Sequence, residues 1–350
     1  MDKPKYVLPS MKEIEEVKGT NGFNVFSLFS GCGGSCLGFE MAGFKIVGAS
    51  EFVEEARKTY VLNHKGTPID GRDIRDLKAS DVFKIAGTNQ IDVLEGSPPC
   101  SSFSTAGKRH KGWGEVKTYS DTEQRSDDLF LEYARLVNEI QPKVFVAENV
   151  KGLIMGSAKG YFKLILSELK KCGYQVEVRV LDASYLGVPQ ARQRTIFIGV
   201  RNDLNLLPAF PKPFNYRFNI EDAIGDNPSS IDEETGQDIS IIRYALYQEW
   251  KKLPLGGHSE RLFSLRKPLR NKPSPTLVAT GGNIGAGSVT HPQYPRKLNL
   301  KELRQLSSFP ADFQLTGKYQ QRYERIGRAV PPLMMKAIAE TILKEILLKQ

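Results

Sequence analysis

The chain has 350 residues, 40% of them hydrophobic, enough to bury one large core or two of moderate size. Lysine and arginine (49) outnumber aspartate and glutamate (40), and the formal charge of +9 is compatible with a polyanionic partner without demanding one. Four cysteines (Cys32, Cys36, Cys100, Cys172) and four scattered histidines exclude a disulfide framework and complete no zinc set, and no stretch reaches the roughly 20 apolar residues of a membrane span; the expectation is a cytoplasmic protein with no metal and no membrane partner.

The N-terminal stretch MDKPKYVLPSMKEIEEVKG has no apolar secretion region. NVFSLF (24–29) is a predicted strand, followed by the turn SGCGG and a helix over SCLGFEMAG. Gly31, Gly33 and Gly34 let backbone approach a ligand closely. The turn is no Walker A loop, because no Gly-Lys-Ser/Thr follows, and Cys36 takes the third glycine position of the dinucleotide fingerprint. The next strand, KIVGAS (45–50), ends at Glu51, where an acid commonly binds ribose hydroxyls. Strand, turn and acid together suggest a nucleoside-bearing cofactor. They do not separate NAD from S-adenosylmethionine, and a plain tight turn is the bland alternative.

After a helix over EEARKTYVLN, the strand IDVLEG (91–96) runs into SPPCSSFS. Pro98 and Pro99 hold the approach to Cys100 extended, at the carboxyl edge where open α/β sheets bind ligands. Alone, Cys100 reads more economically as a buried structural cysteine, since no histidine at thiol-protease spacing stands ready to activate it. The helix RSDDLFLEYARLVNEI leads to the strand KVFVAE (143–148), which sets Glu148 at the same edge, a carboxylate that packing explains poorly although it can cap a helix. A helix over KGYFKLILSELKKC and the strand VEVRVL (176–181) follow. Arg192 and Arg194 then precede the strand TIFIGV (195–200), by themselves a solvated pair. This alternation predicts an α/β fold with a mostly parallel sheet covered on both faces. From 201 to about 290, prolines, GG and NP dipeptides and the tract DEETGQD replace it, predicting a second, smaller domain of short strands and loops. Helical spacing returns at KELRQL and ends in the amphipathic AIAETILKEILLK.

The ordered set FSLFSGCGG, GSPPCSSFS, ENV, QARQR and RAVPP resembles the cytosine-C5 DNA methyltransferase family over roughly residues 24 to 340. That resemblance implies a Rossmann-like S-adenosylmethionine-dependent methyltransferase sheet over 1–200 and 303–350, with a smaller, strand- and loop-rich target recognition domain over 201–302. It implies that Cys100 attacks C6 of a flipped cytosine in duplex DNA, turning C5 into an enamine carbon able to accept a methyl group. Glu148 would assist at N3 and the exocyclic amine, carrying a proton as it does so, and Arg194, with Arg192 beside it, would contact O2. The cofactor would be S-adenosyl-L-methionine, leaving as S-adenosyl-L-homocysteine. Its site would comprise the loop Phe29, Ser30, Gly31, Gly33 and Gly34, then Glu51 and Phe52, Asp73 and Ile74, Pro98, Leu129 and Ala329. A DNA-binding loop would carry Ser102, Ser104, Lys108, Arg109 and Lys111. Partners expected on this basis are double-stranded DNA and a restriction endonuclease that is a functional, not a physical, counterpart; the enzyme would be a monomer, nucleoid-associated through DNA.

Three departures stand out: Ser97 and Ser101 around the Pro-Pro-Cys, Arg328 where the family has asparagine, and a slightly long catalytic loop. A tRNA methyltransferase on the same fold and a catalytically silent DNA-binding homologue are the alternatives. The second domain argues mildly for DNA, and retention of cysteine, glutamate and arginine argues against silence.

Overall fold

A computed structural model describes residues 3–99, 116–119, 122–125, 128–262 and 264–350. The chain divides into two compact units. The larger comprises Ile14–Leu181, Gln193–Lys212 and Met335–Gln350; the smaller comprises the residues up to Glu13, Asp182–Arg192 and Pro213–Met334. These borders fall elsewhere than at 201 and 302.

In chain order the first half carries α1 (Met11–Val17), β1 (Asn24–Leu28), α2 (Gly34–Met41), β2 (Lys45–Ser50), α3 (Glu54–Asn63), β3 (Ile69–Asp70), α4 (Ala79–Ala86) and β4 (Val93–Gly96). A hairpin of β5 (Val116–Tyr119) and β6 (Thr122–Arg125) follows, then α5 (Leu129–Ile140), β7 (Val144–Val150), α6 (Lys159–Lys171), β8 (Tyr174–Asp182), β9 (Gln190–Ala191) and β10 (Gln193–Arg201). Among the described residues the main sheet has seven strands in the order β3-β2-β1-β4-β7-β10-β8. β3, β2, β1, β4 and β7 run parallel, and β10 runs antiparallel to β7.

The six strands expected from apolar runs are all present; the inner ones are continuous hydrophobic sequence because the sheet buries them on both faces, whereas VEVRVL lies in the half-exposed edge strand β8. Phe26, Leu28, Leu94, Phe145, Ala147 and Phe197 leave one face into a core shared with Val82 of α4, the apolar side of α5, and Ile165 and Leu169 of α6. On the opposite face, Tyr60 of α3 donates from its hydroxyl to Cys36 Sγ of α2 at 3.4 Å. Gly96 has no room for a side chain: a Cβ there would lie 2.6 Å from the Tyr133 ring, whose hydroxyl donates to the carbonyls of Leu94 and Val146. The turn toward Pro98 is thereby seated directly on α5.

The smaller unit holds α7 (Ile220–Ala223), α8 (Leu246–Lys252), β11 (Ser274–Pro275), α9 (Leu300–Leu306) and α10 (Tyr319–Arg328). α11 (Pro332–Glu345) crosses from it into the larger unit. Its strands are two-residue pairs and isolated bridges, such as β9 with β11 and His258 with Arg266. Ile241, Leu246, Trp250 and Leu265 form a core of their own, and Trp250 Nε1 donates to Thr290 Oγ1 at 2.9 Å.

Candidate active site

Parallel strands deliver their carboxyl ends to one edge of a sheet, so β1, β2, β4 and β7 bring the glycine turn, Glu51, the Pro-Pro turn and Glu148 together. β10 runs the other way, which returns Arg194, near its start, to that same edge opposite Val150.

At the exit of β1 the chain bends at Phe29, whose φ of 54° is sparsely populated for a bulky residue. The Ser30 hydroxyl sits 3.1 Å from the carbonyls of Ser27 and Ser50 and donates to them. The Glu51 carboxylate then accepts from Gly31 N at 2.7 Å and from Val53 N at 2.8 Å. One acid therefore ties the β1 turn to the β2 exit. Gly33 has φ of 92°, and an added Cβ would fall 2.0 Å from Nε2 of the buried His64. His64 stacks on Tyr60 and sets Nδ1 3.0 Å from Glu40 Oε2, so the glycine turn rests on a buried polar shelf. Gly34 opens α2.

Phe29, half-buried, packs against the core cluster to which Ile74 and Leu129 belong and so presents an apolar surface at the edge. Phe52, half-buried, follows Glu51 in sequence. Asp73 caps a short turn by accepting from Arg75 N at 3.0 Å, and its carboxylate also accepts from Arg75 Nη1, while Arg75 reaches on to Asp128. Pro98 is buried, and its carbonyl accepts from Asn149 Nδ2 at 3.0 Å. Asn149 Oδ1 accepts from Val150 N, so the middle residue of the ENV stretch pins the Pro-Pro turn.

Glu148 is 8% exposed, and Arg194 Nε lies 2.7 Å from its Oε1. Burial lowers the proton affinity of the Arg194 guanidinium, and the charge of Glu148 opposes this. The geometry joins an acid and a cation where a flat polar heterocycle can accept and donate in one plane. Arg192 points elsewhere. It is buried in the smaller unit and donates to the carbonyls of Leu277, Gly327 and Arg328 at 3.1–3.2 Å, a brace for that unit. Ala329 also belongs to the smaller unit, its N donating to the Arg325 carbonyl. Cys100, Ser102, Ser104, Lys108, Arg109 and Lys111 lie outside the described residues.

Two residues at this edge had only indirect sequence signals. Asn149 stands inside ENV, but nothing in the sequence marks its contact with the Pro98 carbonyl. Glu95 stands in IDVLEG, yet nothing local marks its partner Ser27, 68 residues earlier.

The residues present fit S-adenosylmethionine. A carboxylate oriented by two backbone N–H groups suits a ribose diol, the apolar surface suits an adenine, and the glycine turn admits a ligand against backbone.

The profile of C-5 cytosine-specific DNA methylases matches residues 23–344. Type II methyltransferase M1.HphI of Haemophilus parahaemolyticus is 33% identical over 332 residues, spanning 90% of this chain and 85% of that protein. M.NgoFVII of Neisseria gonorrhoeae is 31% identical, spanning 90% and 84%. Among solved structures, a DNA modification methyltransferase encoded within an E. coli prophage superposes with a TM-score of 0.73 at 23% identity, covering 92% of this chain and 99% of that one. DNMT2 of Spodoptera frugiperda reaches 0.65 at 19%, covering 90% and 97%; both likenesses speak to fold.

Proposed function

From the premise that the chain belongs to the C-5 cytosine-specific DNA methylase family, and so is a DNA (cytosine-5-)-methyltransferase, we propose that Cys100, Glu148 and Arg194 carry the chemistry on a cytosine flipped out of double-stranded DNA. The observation that carries this reading is the Glu148–Arg194 pair at the carboxyl edge, two strands' contribution to one planar polar contact. The Cys100 thiolate adds to C6, which makes C5 nucleophilic. Glu148, protonated at that moment, hydrogen-bonds N3 and offsets the charge that the addition pushes into the ring. Arg194 donates to O2 and withdraws density from the same side. Loss of the C5 proton and of the thiolate restores the ring.

The glycine turn, Glu51, Phe52, Ile74 and Leu129 would hold S-adenosyl-L-methionine, which would supply an electrophilic methyl group and leave as S-adenosyl-L-homocysteine. Asp73, tied to Arg75, takes the adenine edge. Ser102, Ser104, Lys108, Arg109 and Lys111 bind the DNA backbone beside the flipped base, whose flipping costs roughly a few kcal/mol.

The smaller unit reads the target. Its exposed Arg243 lies over the Tyr244 ring and Lys251 over the Tyr247 ring, Lys267 lies 3.8 Å over Trp250, and the exposed Lys252 and Arg261 stand at Glu249 on the same stretch. Basic groups among aromatics suit phosphates and bases. The type II methyltransferase names of the relatives support a restriction–modification setting, with an endonuclease as functional counterpart. The enzyme acts as a monomer; no helix among the described residues is long and apolar enough to cross a membrane.

A duplex carrying 5-fluorocytosine tests the chemistry, since fluorine cannot leave C5 as a proton. With S-adenosylmethionine present, a protein–DNA adduct surviving denaturant is expected, and Cys100→Ser should remove it while still binding the cofactor. An undiminished adduct from Cys100→Ser overturns the assignment.

A further inference from the structure

Behind Glu148 lies a second carboxyl that this chemistry does not use. Glu95, next to last in β4, is 1% exposed. Its register partners are Ser27 on β1 and Val146 on β7. In a parallel sheet its side chain therefore leaves from the same face as Ser27, Val146 and, one alternation further, Glu148. That step separates the Glu95 and Glu148 Cα atoms by roughly 8 Å. The Ser27 hydroxyl donates to Glu95 Oε2 at 2.6 Å. Ser35 of α2 and Ser97 also hydrogen-bond it, Cys36 of α2, Tyr60 of α3 and Tyr133 of α5 feel its charge, and Glu95 itself feels the charge of Glu148 of β7. Among the described residues no lysine or arginine pairs with Glu95, whereas Arg194 pairs with Glu148. Burial drives the Glu95 carboxyl up to about 7; the serine hydroxyls oppose the rise and the charge of Glu148 adds to it.

Two carboxyls and one guanidinium in a poorly solvated site are neutral together when one carboxyl is ionised. Two like charges on one face do not ionise independently. With Glu148 paired to Arg194, the proton belongs on Glu95. When cytosine takes the Arg194 contact and needs a proton on Glu148, the negative charge belongs on Glu95. We propose that Glu95 is a positioning residue for methyl transfer, a buried acid, held by Ser27, whose charge keeps Glu148 protonated against cytosine as pH rises. The inference rests on Glu148 being the cytosine-facing acid.

The test is the pH profile of kcat for the full chain, measured with unmethylated plasmid DNA of mixed sequence and tritiated S-adenosylmethionine. Glu95→Gln keeps the shape and the Ser27 contact but removes the charge. Its alkaline limb is expected to move to lower pH by roughly one unit, with the acid limb and the cofactor Kd unchanged. Ser27→Ala, which makes Glu95 harder to ionise, should move that limb the same way by less, and serves if Glu95→Gln folds poorly. Superimposable alkaline limbs, with Glu148→Gln inactive, overturn the role of Glu95 and leave the reading of Glu148 standing. Full turnover by Glu148→Gln overturns that reading and this inference with it.

Discussion

At Gly33 two independent constraints meet. The backbone sits at φ of 92°, where an L side chain is strained, and the space a Cβ would need is held by His64 Nε2. His64 has no easy retreat, since it is fully buried between the Tyr60 ring and Glu40. Gly33→Ala must therefore displace the shelf or the turn, and the turn is what carries Gly31 N to Glu51. The expected outcome is a stability loss of about 1–3 kcal/mol in chemical denaturation, with S-adenosylmethionine affinity in calorimetry down tenfold or more. Gly31→Ala makes the contrast, since a Cβ there meets open space and only the φ of 56° opposes it. Equal stability losses in the two variants would show that backbone strain, not the His64 contact, governs the turn.

At the scale of elements, α9 shows how the smaller unit is locked. Asn299 Oδ1 accepts from Glu302 N at 2.8 Å, and Glu302 Oε2 accepts from Asn299 N at 2.9 Å, a reciprocal cap on the helix start. The same carboxylate receives both terminal nitrogens of Arg296 at 2.7 and 2.9 Å, all of it buried. Removing the cation strands a buried charge, so Arg296→Met should cost roughly 3–5 kcal/mol in urea unfolding. Arg296→Met with Glu302→Gln should recover part of this, because the cap survives without the charge. No recovery in the double variant would count against an uncompensated carboxylate as the cause. This pair also explains what could be read in advance. KELRQL announces a helix by its spacing, but spacing does not say which core the helix joins, and Arg296 and Arg192 draw 296–328 into the smaller unit. The inner strands are legible because burial on both faces writes itself as continuous runs, and the edge strand β8 by its alternating valines. α4 is not, since eight residues of ASDVFKIA are too short a window for its period to stand out. Glu95 and Ser27 were visible as letters, but the register that joins them exists only once β1 and β4 pair.

For the molecule as a whole, buried titratable groups set opposite pH responses in the two units. In the larger unit, Glu95 is raised from 4.5 to about 7 by burial. A raised carboxyl binds its proton more tightly folded than unfolded, so its stabilising share is complete below about 4.5 and is lost as pH climbs through 7. In the smaller unit, burial lowers His291 from 6.5 to about 3, with Arg296 and Arg270 adding to it, and lowers Lys297 from 10.5 to about 7, its Nζ donating to the Ala286 carbonyl and Ser288 Oγ. A depressed base releases its proton more readily folded than unfolded. Stability therefore rises with pH, from 3 to 6.5 through His291 and from 7 to 10.5 through Lys297. Each shift corresponds to on the order of a few kcal/mol. Hydrogen exchange followed by mass spectrometry, corrected for intrinsic exchange, can read the units separately. Between pH 5 and pH 8 protection of β1, β4 and β7 should weaken, and between pH 7 and pH 9 protection of α9 and its flanks should strengthen. Glu95→Gln should flatten the first trend and Lys297→Met the second, each leaving the other intact. Parallel pH trends in both units would show that surface charge, not these buried groups, governs the response.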